Sequence, residues 1–481
     1  MRNIIKTWPF LFLFMYALDL HTQTTAIPDA NFEKALIDLG IDKDGLINGS
    51  VATENISGIT SLDVSGKNIV SLTGIEGFVS LTALYCQENL LESIKLSENT
   101  KLSILNCSKN NLNALGVAAL ADLKILNCGL NRISDLNVSN NTKLEEFYCD
   151  HNLIANLNLK NNTELLVFNC AGNRLSNLTL TYNWKLKYLD FSSNLFELLD
   201  LMYQVKLEYL DCSKNPLTSV FLNNMVELRK AIMVDNDLLT RVNFGHNYRL
   251  EEIICRDNDM LATIDLVGAT ALKYMNCSNN LLAALDVSKN LLLENIYCQH
   301  NAITDLDLSL NTRLAFLKCN DNKLKTLNLK NGNNALMTGG MTWYDGQTIY
   351  SEGMNALNNP SLLCIQVDNE TSANSGLVPY NSWIKDAWAA YSNDCSIFLG
   401  VEEVNLNNLI SVFPNPATGM ITVDTGSVVA ENLMIYTVLG NVVREVNPMT
   451  HQIDISDLSS GLYILRLTFD RKVVVKKFIK M

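Results

Sequence analysis

Leucine and other aliphatic residues recur along most of the chain at a fixed spacing. Between Leu81 and about Gly332, twelve tandem copies follow the pattern L-x-x-L-x-C-x-x-N-x-L-x-x-L-x-V/L-S-x-N-T-x, and an atypical copy, ITSLDVSGKNIVSL, precedes them. The period is 21 residues, with one extra residue after Asn236 and another after Asn258. Such a repeat predicts a solenoid in which each copy forms one coil and buries its apolar residues against its neighbours.

The pattern resembles the leucine-rich repeat and covers residues 59–332. This resemblance implies one short parallel strand per copy, with the strands on a concave face. Twenty-one residues leave little room for a full helix on the return side, so an extended or turn-like return is expected. We therefore predict a mainly β repeat solenoid with a short N-terminal helical cap, a C-terminal cap and a small C-terminal β-sandwich.

Most copies place a cysteine at the last inward-pointing strand position, where leucine-rich repeats usually carry Leu. Phe191 and Met233 occupy the same position in two copies, so the position is hydrophobic. Free cysteine behaves as a small buried hydrophobe, and parallel neighbours in register are poorly placed for a disulfide. We predict packing rather than metal or redox chemistry. The cysteines of this column are Cys86, Cys107, Cys128, Cys149, Cys170, Cys212, Cys255, Cys277, Cys298 and Cys319.

Asparagine forms a second column, with one residue in each copy. A buried amide can satisfy backbone groups left unpaired where a strand turns, which favours a structural role. A partial third column is predicted to mark the opposite turn in the same way: Asn99, Asn141, Asn162, Asn183, Asn290 and Asn311. The second column contains Asn89, Asn110, Asn131, Asn152, Asn173, Asn194, Asn215, Asn236, Asn258, Asn280, Asn301 and Asn322.

Both ends of a repeat stack need a cover. At residues 25–58, the segment IPDANFEKALIDLG predicts a short helix with Asp29 as its cap, Gly40 as its stop, and Phe32, Leu36 and Leu39 on one side. The following DKDG (42–45) has two carboxylates but lacks the spacing and terminal Glu of an EF-hand loop, so a turn is favoured over a calcium site.

The repeat breaks at residues 333–396, which we predict to be the C-terminal cap. Cys364 and Cys395 lie outside the repeat period, and in an exported protein they suggest a disulfide that links the cap. The stretch from about 337 to 355 departs from the usual cap as an insertion, and the pattern assigns no role to its aromatic residues Trp343, Tyr344 and Tyr350.

The two ends of the chain predict export. Arg2 and Lys6 precede an apolar run that is too short to span a membrane, so residues 1–24 are interpreted as a signal peptide. No second apolar run of spanning length appears in the sequence, so no membrane-spanning segment is expected in the mature chain. Residues 397–409 are interpreted as a linker, and residues 410–481 read as alternating strands separated by turns.

The C-terminal segment resembles the sorting domain of type IX secretion, found on exported Bacteroidetes proteins. The front cap and the phrases LTGIEGF and NPSLLCIQVDN resemble leucine-rich-repeat proteins exported by the same bacteria. The resemblance implies the type IX secretion machinery as a partner and a secreted or cell-surface location. The sorting residues that carry the match are Pro414, Asn415, Pro416, Gly440, Gly461, Tyr463, Lys476, Lys477 and Lys480, together with Ser460 and Leu462.

Charge and motifs restrict the possible chemistry. The formal net charge of -13 argues against a nucleic-acid partner, which would favour a basic stripe. The sequence contains no H-E-x-x-H, G-x-S-x-G, Walker or C-x-x-C motif, and His151 and His300 share a repeat position seven coils apart. We therefore expect no cofactor, no metal site and no catalytic residue, although an enzyme with a site in residues 337–395 stays an open alternative.

Function is then expected on the exposed strand positions, because side chains alternate faces along a strand. Aromatic residues interleaved with carboxylates and amides suit a binding site for a protein, peptide or glycan on the concave face. The alternative is a passive structural surface protein, in which cross-strand stacking alone explains the tyrosines. The candidate ligand-binding residues are Tyr188, Tyr209, Asp211, Glu252, Tyr274, Asn276, Tyr297, Phe316 and Lys318, with Asp190 in an equivalent position.

Overall fold

A computed structural model describes residues 23–198, 200–223, 225–344, 347–396, 410–425, 430–447, 452–469 and 472–481. The predicted linker and nearly all of the predicted signal peptide lie outside these ranges, so both stay predictions. The chain divides into two units, Met1–Leu153 and Ile154–Met481, which are described separately.

The first unit contains a cap followed by repeat coils. Its elements are β1 (Thr24–Ala26), α1 (Ala30–Asp38), β2 (Ser50–Ala52), α2 (Thr53–Ile56), β3 (Ser61–Asp63), the 3-10 helix η1 (Ile75–Gly77), β4 (Ala83–Tyr85), β5 (Ile104–Asn106), β6 (Ile125–Asn127) and β7 (Glu146–Tyr148). Strands β3 to β7 pair in parallel and in register, one strand per coil. The middle residue of each strand is buried, as the apolar pattern predicts.

The cap helix α1 begins where the sequence predicts. The Asp29 carboxylate accepts hydrogen bonds from the backbone N–H groups of Asn31 and Phe32 at 2.9 and 3.0 Å, which caps the helix. Its other oxygen accepts from the N–H groups of Val70 and Ser71 at 2.7 and 2.8 Å. One carboxylate therefore joins the cap to the first coil.

The predicted apolar face of α1 is correct at Phe32 and Leu36, which are fully buried, and wrong at Leu39, which is 50% exposed. Leu39 follows the last helical residue, Asp38, so it does not continue the buried helix face. Gly40 then has a φ of +69°, the left-handed conformation that ends helices. The DKDG segment forms a turn in which the Asp44 carboxylate accepts from the Leu46 N–H at 2.8 Å.

The second unit continues the one-strand-per-coil arrangement. Its repeat and cap elements are β8 (Val167–Asn169), β9 (Tyr188–Asp190), β10 (Tyr209–Asp211), β11 (Val220–Phe221), β12 (Lys230–Ile232), β13 (Arg241–Asn243), β14 (Glu252–Ile254), β15 (Thr263–Asp265), β16 (Tyr274–Asn276), β17 (Asn295–Tyr297), β18 (Asp305–Asp307), β19 (Phe316–Lys318), β20 (Thr326–Asn328), η2 (Asn334–Leu336), β21 (Gly340–Tyr344), β22 (Gln347–Ser351), β23 (Met354–Ala356), β24 (Cys364–Gln366), α3 (Glu370–Asn374), η3 (Tyr380–Ser382), β25 (Ile384–Lys385) and β26 (Ala390–Ser392).

The coils of the second unit form a main parallel sheet and two smaller ones. The main sheet follows the order β8, β9, β10, β12, β14, β16, β17, β19, β23 and β25. On the return side, β11, β13 and β15 form a three-stranded sheet, and β18, β20, β24 and β26 form a four-stranded sheet. The predicted β repeat solenoid with extended returns is confirmed.

The cap at residues 333–396 includes an inserted hairpin. Strands β21 and β22 pair antiparallel between β20 and β23, within the predicted insertion. The sulfur atoms of Cys364 and Cys395 are bonded, with Cα atoms 5.8 Å apart. The rings of Tyr380 and Trp383 pack edge to face at 4.7 Å, and the Trp383 indole N–H donates to the Met337 carbonyl at 2.8 Å.

The C-terminal segment folds as two antiparallel sheets. Its strands are β27 (Ser411–Phe413), β28 (Met420–Asp424), β29 (Asn432–Thr437), β30 (Val442–Val446), β31 (Gln452–Asp454), β32 (Gly461–Phe469) and β33 (Lys472–Lys480). The sheets have the orders β27-β28-β31 and β30-β29-β32-β33. Buried residues of both sheets, including Ile421, Leu433, Leu465 and Phe478, form one core. The predicted C-terminal β domain is confirmed.

Candidate binding surface

The first and third residues of β9, β10, β12, β14, β16, β17 and β19 form one surface, here called the strand surface, which includes all the predicted ligand-binding residues. Each strand has three residues, and the middle one is fully buried. The parallel register places first residues beside first residues and third beside third. The surface therefore consists of two continuous rows of side chains.

One end of the strand surface has a stacked pair of tyrosines. The rings of Tyr188 and Tyr209 lie 4.4 Å apart with an interplanar angle of 5°. Burial raises the pKa of the Tyr209 hydroxyl far above its usual value, and the Asp211 carboxylate raises it further. Both rings are half-buried, so the pair presents a neutral aromatic edge.

The other end has three aromatic residues. The ring centroids of Tyr274 and Tyr297 are 5.5 Å apart, and those of Tyr297 and Phe316 are 4.7 Å apart. Phe316 is only 5% exposed, although the alternation pattern predicts an exposed side chain. The reason is its contact with the Tyr297 ring on the adjacent strand. The two tyrosines are half-buried and provide the accessible part of this cluster.

The first-position row also contains an ion pair between the two aromatic groups. Lys230 and Glu252 lie on the paired strands β12 and β14, and the Lys230 ammonium is 2.9 Å from the Glu252 carboxylate. Lys318 occupies the third position of β19 and is half-buried. The strand surface thus combines aromatic groups with charges of both signs.

Two of the predicted ligand-binding residues accept hydrogen bonds from the turn that follows their strand. The Asp211 carboxylate accepts from the Ser213 N–H at 2.9 Å, and the Asn276 amide oxygen accepts from the Ser278 N–H at 3.1 Å and the Ser278 hydroxyl at 2.7 Å. Asn276 is 6% exposed, so the predicted exposure is wrong for this residue. Asp190 accepts from Ser192 in the same way. In these coils, the side chain at the third strand position therefore accepts a hydrogen bond from the turn that follows the strand.

This arrangement disfavours the charged form of the Asp211 carboxyl. Burial raises the pKa of its carboxyl above the usual value, while the hydrogen bonds from Ser213 act in the opposite direction. Asn occupies the same position in other coils and accepts the same bond without a charge, for example Asn106 from the Ser108 N–H at 3.2 Å. The carboxylate is therefore replaceable as a turn acceptor.

A row of paired charges next to the strand surface was not anticipated. The residue preceding each strand alternates in sign across several coils, and Glu251 accepts from both Arg229 at 2.9 Å and Lys273 at 2.7 Å. Lys187 and Glu208 pair at 2.9 Å in the same row. The signal that could have revealed the row is the alternation of sign at one repeat position.

The cysteine column lies wholly in the interior. All ten of its cysteines are free and buried. Burial raises the pKa of Cys107 and of Cys277 to about 12, so both stay protonated at neutral pH. Within the described ranges, no group of three or more His, Cys, Asp or Glu side chains could hold a metal ion. The column packs as the sequence predicts.

The asparagine columns satisfy the backbone between coils. The Asn110 amide oxygen accepts from the Leu91 N–H at 3.0 Å, and its NH₂ group donates to the carbonyls of Cys86 and Cys107 at 3.0 and 3.1 Å. At the opposite turn, the Asn183 NH₂ group donates to the carbonyl of Asn162 at 2.8 Å. The predicted structural role of both columns is confirmed.

The two histidines at one repeat position have a conformational explanation. His151 and His300 have φ angles of +52° and +54°, at the position that precedes each column asparagine. His is among the residues that tolerate this left-handed conformation. Asp150 lies 3.1 Å from the His151 ring, and Asp321 lies 3.7 Å from the His300 ring.

Two titratable residues of the 337–395 region, Lys385 and Asp386, make hydrogen bonds within the fold. The Asp386 carboxylate accepts from the N–H groups of Asn358 and Asn359 at 3.1 and 2.8 Å. The Lys385 ammonium donates to the Ala389 carbonyl at 2.6 Å, and burial lowers its pKa. These contacts give both residues a structural role.

The sorting residues hold the C-terminal sandwich together. The Asn415 amide accepts from the Ile479 N–H at 2.8 Å and donates to the Lys477 carbonyl at 2.9 Å, which ties its loop to β33. The Tyr463 hydroxyl donates to the Ser459 carbonyl at 2.9 Å. Gly440 has a φ of +81° in the turn between β29 and β30. Gly461 begins β32, Pro414 and Pro416 flank Asn415, and Lys476, Lys477 and Lys480 lie on β33.

Comparisons with known proteins agree with this architecture. Residues 411–481 match the family described as the secretion system C-terminal sorting domain. Comparison with curated protein sequences gives no match. In the described ranges, no helix combines the length and apolarity required to cross a membrane.

Solved structures show the fold of the repeats. The functional domain of InlJ from Listeria monocytogenes, which includes a cysteine ladder, is similar at 21% identity and a TM-score of 0.50, over 95% of this chain and 98% of that chain. The internalin InlF from the same species is similar at 21% identity and a TM-score of 0.55, over 63% of this chain and 94% of that chain. The repeats therefore have the leucine-rich-repeat fold, and the type IX secretion sorting domain at residues 411–481 marks the protein as secreted or held at the cell surface.

Proposed function

We propose that this protein recognises an extracellular polypeptide or glycan through the strand surface, after export by the type IX route. The observation that carries the proposal is the gathering of half-buried tyrosines on β9, β10, β16 and β17, with the Lys230–Glu252 ion pair between them. Aromatic rings supply contact area at low entropic cost, and the charged groups orient a ligand. The repeat stack holds these groups in fixed register.

A passive structural role is the competing proposal, and two contacts favour it. The parallel stacking of Tyr188 on Tyr209 is what cross-strand packing alone rewards. Asp211 is engaged by a turn hydrogen bond rather than oriented toward solvent by other groups. The two proposals differ in whether removal of the tyrosine rings changes binding.

The test is a triple variant, Tyr209→Ala, Tyr274→Ala and Tyr297→Ala, compared with the parent on host cells, extracellular proteins and glycan arrays. The matched control is Tyr85→Ala, because Tyr85 is a half-buried third-position tyrosine on β4 outside both aromatic groups. Recognition through the strand surface predicts loss of binding only in the triple variant. Unchanged binding by a folded triple variant contradicts the proposal and supports the passive role.

We infer further that residues 410–481 direct export and are not needed for the repeats to fold. Deleting them is expected to leave the protein in the periplasm, with its repeats folded as judged by circular dichroism. Surface display equal to that of the full chain would contradict this role. A deletion variant that fails to fold would contradict the independence of the repeats.

A non-enzymatic role is part of the same proposal. Its support is the structural engagement of Lys385 and Asp386 in the region where a site was considered. Lys385→Met and Asp386→Asn should alter the stability of the cap without abolishing any turnover of a substrate found in a screen. Loss of such turnover in either variant, if that variant still folds, would support an enzyme with a site in residues 337–395.

A further inference from the structure

A row of exposed apolar residues lies on the turn between each return segment and the next strand, and it shares no residue with the strand surface. Trp184, Val205, Val226 and Tyr248 occupy one repeat position in four successive coils, and they are 45%, 41%, 45% and 53% exposed. The coils immediately before and after them carry threonine at this position, Thr163 and Thr270. Threonine is also the consensus residue. The four coils therefore share a local departure from the repeat.

A second row widens this surface. Tyr182 directly precedes Asn183 of the third asparagine column, and Tyr203 precedes Gln204 at the equivalent position of the next coil. Both tyrosines are exposed, as is Met202. We call these seven residues the turn patch: Tyr182, Trp184, Met202, Tyr203, Val205, Val226 and Tyr248. Single exposed apolar residues are ordinary, but a contiguous group marks an interaction site.

The turn patch is held rigidly by the coils beneath it. The Asn183 NH₂ group, between Tyr182 and Trp184, donates to the Asn162 carbonyl at 2.8 Å. The Gln204 NH₂ group, between Tyr203 and Val205, donates to the Leu180 carbonyl at 2.8 Å. Both amide side chains are buried. Interior hydrogen bonds therefore fix the backbone from which Tyr182, Trp184, Tyr203 and Val205 project.

Lysines lie against the aromatic rings of the turn patch. The Lys206 ammonium is 4.7 Å from the centroid of the Trp184 ring, and the Lys160 ammonium is 5.7 Å from that of Tyr182. Lys185 also approaches Trp184, but it forms an ion pair with Glu164 at 2.5 Å. Within the described part of the chain, Lys160 and Lys206 form no ion pair. Both lysines are exposed, so each ammonium can turn from its ring toward an external anion and open the ring face, on a protein whose net charge is -13.

We propose that the turn patch binds an acidic polysaccharide, a linear polymer of uronic acid residues. The apolar C–H face of a sugar ring packs on an aromatic or aliphatic side chain, and each carboxylate can meet the Lys160 or Lys206 ammonium. Coils stack at about 4.8 Å, so the patch offers one apolar platform per coil at a regular interval. A polymer of identical units also presents an apolar face and a charge at regular intervals. This ligand goes beyond the strand surface, because it uses different residues.

The experiment measures binding of the full chain to polygalacturonate and to alginate by isothermal titration calorimetry. Neutral dextran and polyglutamate are the comparison polymers, since the first lacks charge and the second lacks sugar rings. Binding to at least one polyuronate, with neither comparison polymer matching it, is the expected result. Failure to bind either polyuronate, or equal binding to polyglutamate, would overturn the proposal, and the second outcome would indicate an acidic polypeptide instead.

Two variants assign the binding to the turn patch. Trp184→Thr with Tyr248→Thr restores the consensus residue, so folding is expected to be kept, and affinity should fall roughly tenfold or more. Lys160→Gln with Lys206→Gln changes only exposed charges and should weaken binding and its salt dependence. The strand-surface triple variant should bind the polyuronate like the parent. Unchanged affinity in both turn-patch variants would contradict the assignment.

Discussion

The asparagine and cysteine columns and the turn patch come from the same coils. They differ in whether the residue type at a repeat position is kept from one coil to the next. In the columns, each side chain contacts the next coil, so the same residue type recurs from the first unit to the second. In the turn patch, the side chains are exposed, and threonine gives way to Trp, Val and Tyr in four successive coils.

This difference separates the positions that determine the fold from those that determine recognition. A column residue is constrained by hydrogen bonds or by packing on every side, and a change there affects two neighbouring coils. An exposed residue has no such constraint, so a run of unusual residues requires another explanation. Measurements of stability and of binding should therefore respond to different sets of substitutions.

The largest effect is expected for the asparagine column. Asn110→Leu leaves the buried Leu91 N–H without its acceptor. The Cys86 and Cys107 carbonyls each lose one of two amide donors and keep those of Asn89 and Asn131. The free energy of unfolding should fall by about 3 kcal/mol, since buried unsatisfied groups are costly. Urea denaturation followed by circular dichroism measures it, with Asn113→Ala, an exposed asparagine of the same coil, as control. A similar loss of stability in both variants would contradict the distinction between interior columns and exposed positions.

A smaller loss is expected in the cysteine column. Cys107 is fully buried, so Cys107→Ser places a hydroxyl group in an apolar position and should lower the free energy of unfolding by about 2 kcal/mol. Cys107→Ala removes only one heavy atom and should cost about half as much. The same denaturation experiment ranks the two variants. A serine variant as stable as the parent would show that the column is not apolar.

The strand surface supplies a pH-dependent prediction. Burial raises the folded-state pKa of Asp211, so the folded chain binds the proton more tightly than the unfolded chain does. Stability is then lost as pH rises from the unfolded pKa through the raised folded pKa. Asp211→Asn should be more stable than the parent at pH 7, by up to about 1 kcal/mol, and this advantage should disappear as pH falls below about 4.

Asp211→Ala is the control for this prediction, because it removes both the charge and the acceptor of the Ser213 N–H bond. It should be less stable than the asparagine variant at every pH, by about 1 kcal/mol. Thermal unfolding between about pH 3 and pH 8 measures both variants. A parent chain that is more stable than Asp211→Asn at pH 7 would assign the carboxylate a favourable charge contact instead.

The smallest change in stability is expected in the turn patch. Trp184→Thr with Tyr248→Thr removes exposed rings and restores the consensus residue, so the free energy of unfolding should stay within about 0.5 kcal/mol of the parent. Urea denaturation checks this value alongside the Asn110 series. A loss comparable to that of Asn110→Leu would mean that the exposed rings stabilise the coils, and the distinction between the two kinds of position would fail.

Much of the fold could be predicted because the repeat period is visible in the sequence. The column asparagines, the buried thiols, the cap helix and the C-terminal β domain all follow from residue type and spacing. Periodicity could not predict the exposure of three residues. The exposure of Leu39 depends on where the helix ends, that of Asn276 on a local turn hydrogen bond, and that of Phe316 on contact with a neighbouring ring. The spacing of residues within one repeat does not show which side chains on adjacent coils are in contact.

The turn patch was missed for another reason. The sequence predicts binding at the exposed strand positions, because side chains alternate faces along a strand. The replacement of threonine by Trp184 and Tyr248 at a turn position is also visible in the sequence, but alternation along a strand does not apply there. The distances of Lys160 and Lys206 from the rings required the structure, because they depend on side-chain conformation in adjacent coils.

The central claim is that the repeated interior columns only hold the fold, and thiol counting tests it most directly. A thiol reagent should label almost none of the twelve cysteines in the native protein. Denaturation without reductant should expose the ten free thiols, and reduction should release Cys364 and Cys395 as well. Rapid labelling of the native column, fewer than ten thiols after denaturation, or zinc bound to the purified protein would contradict the account.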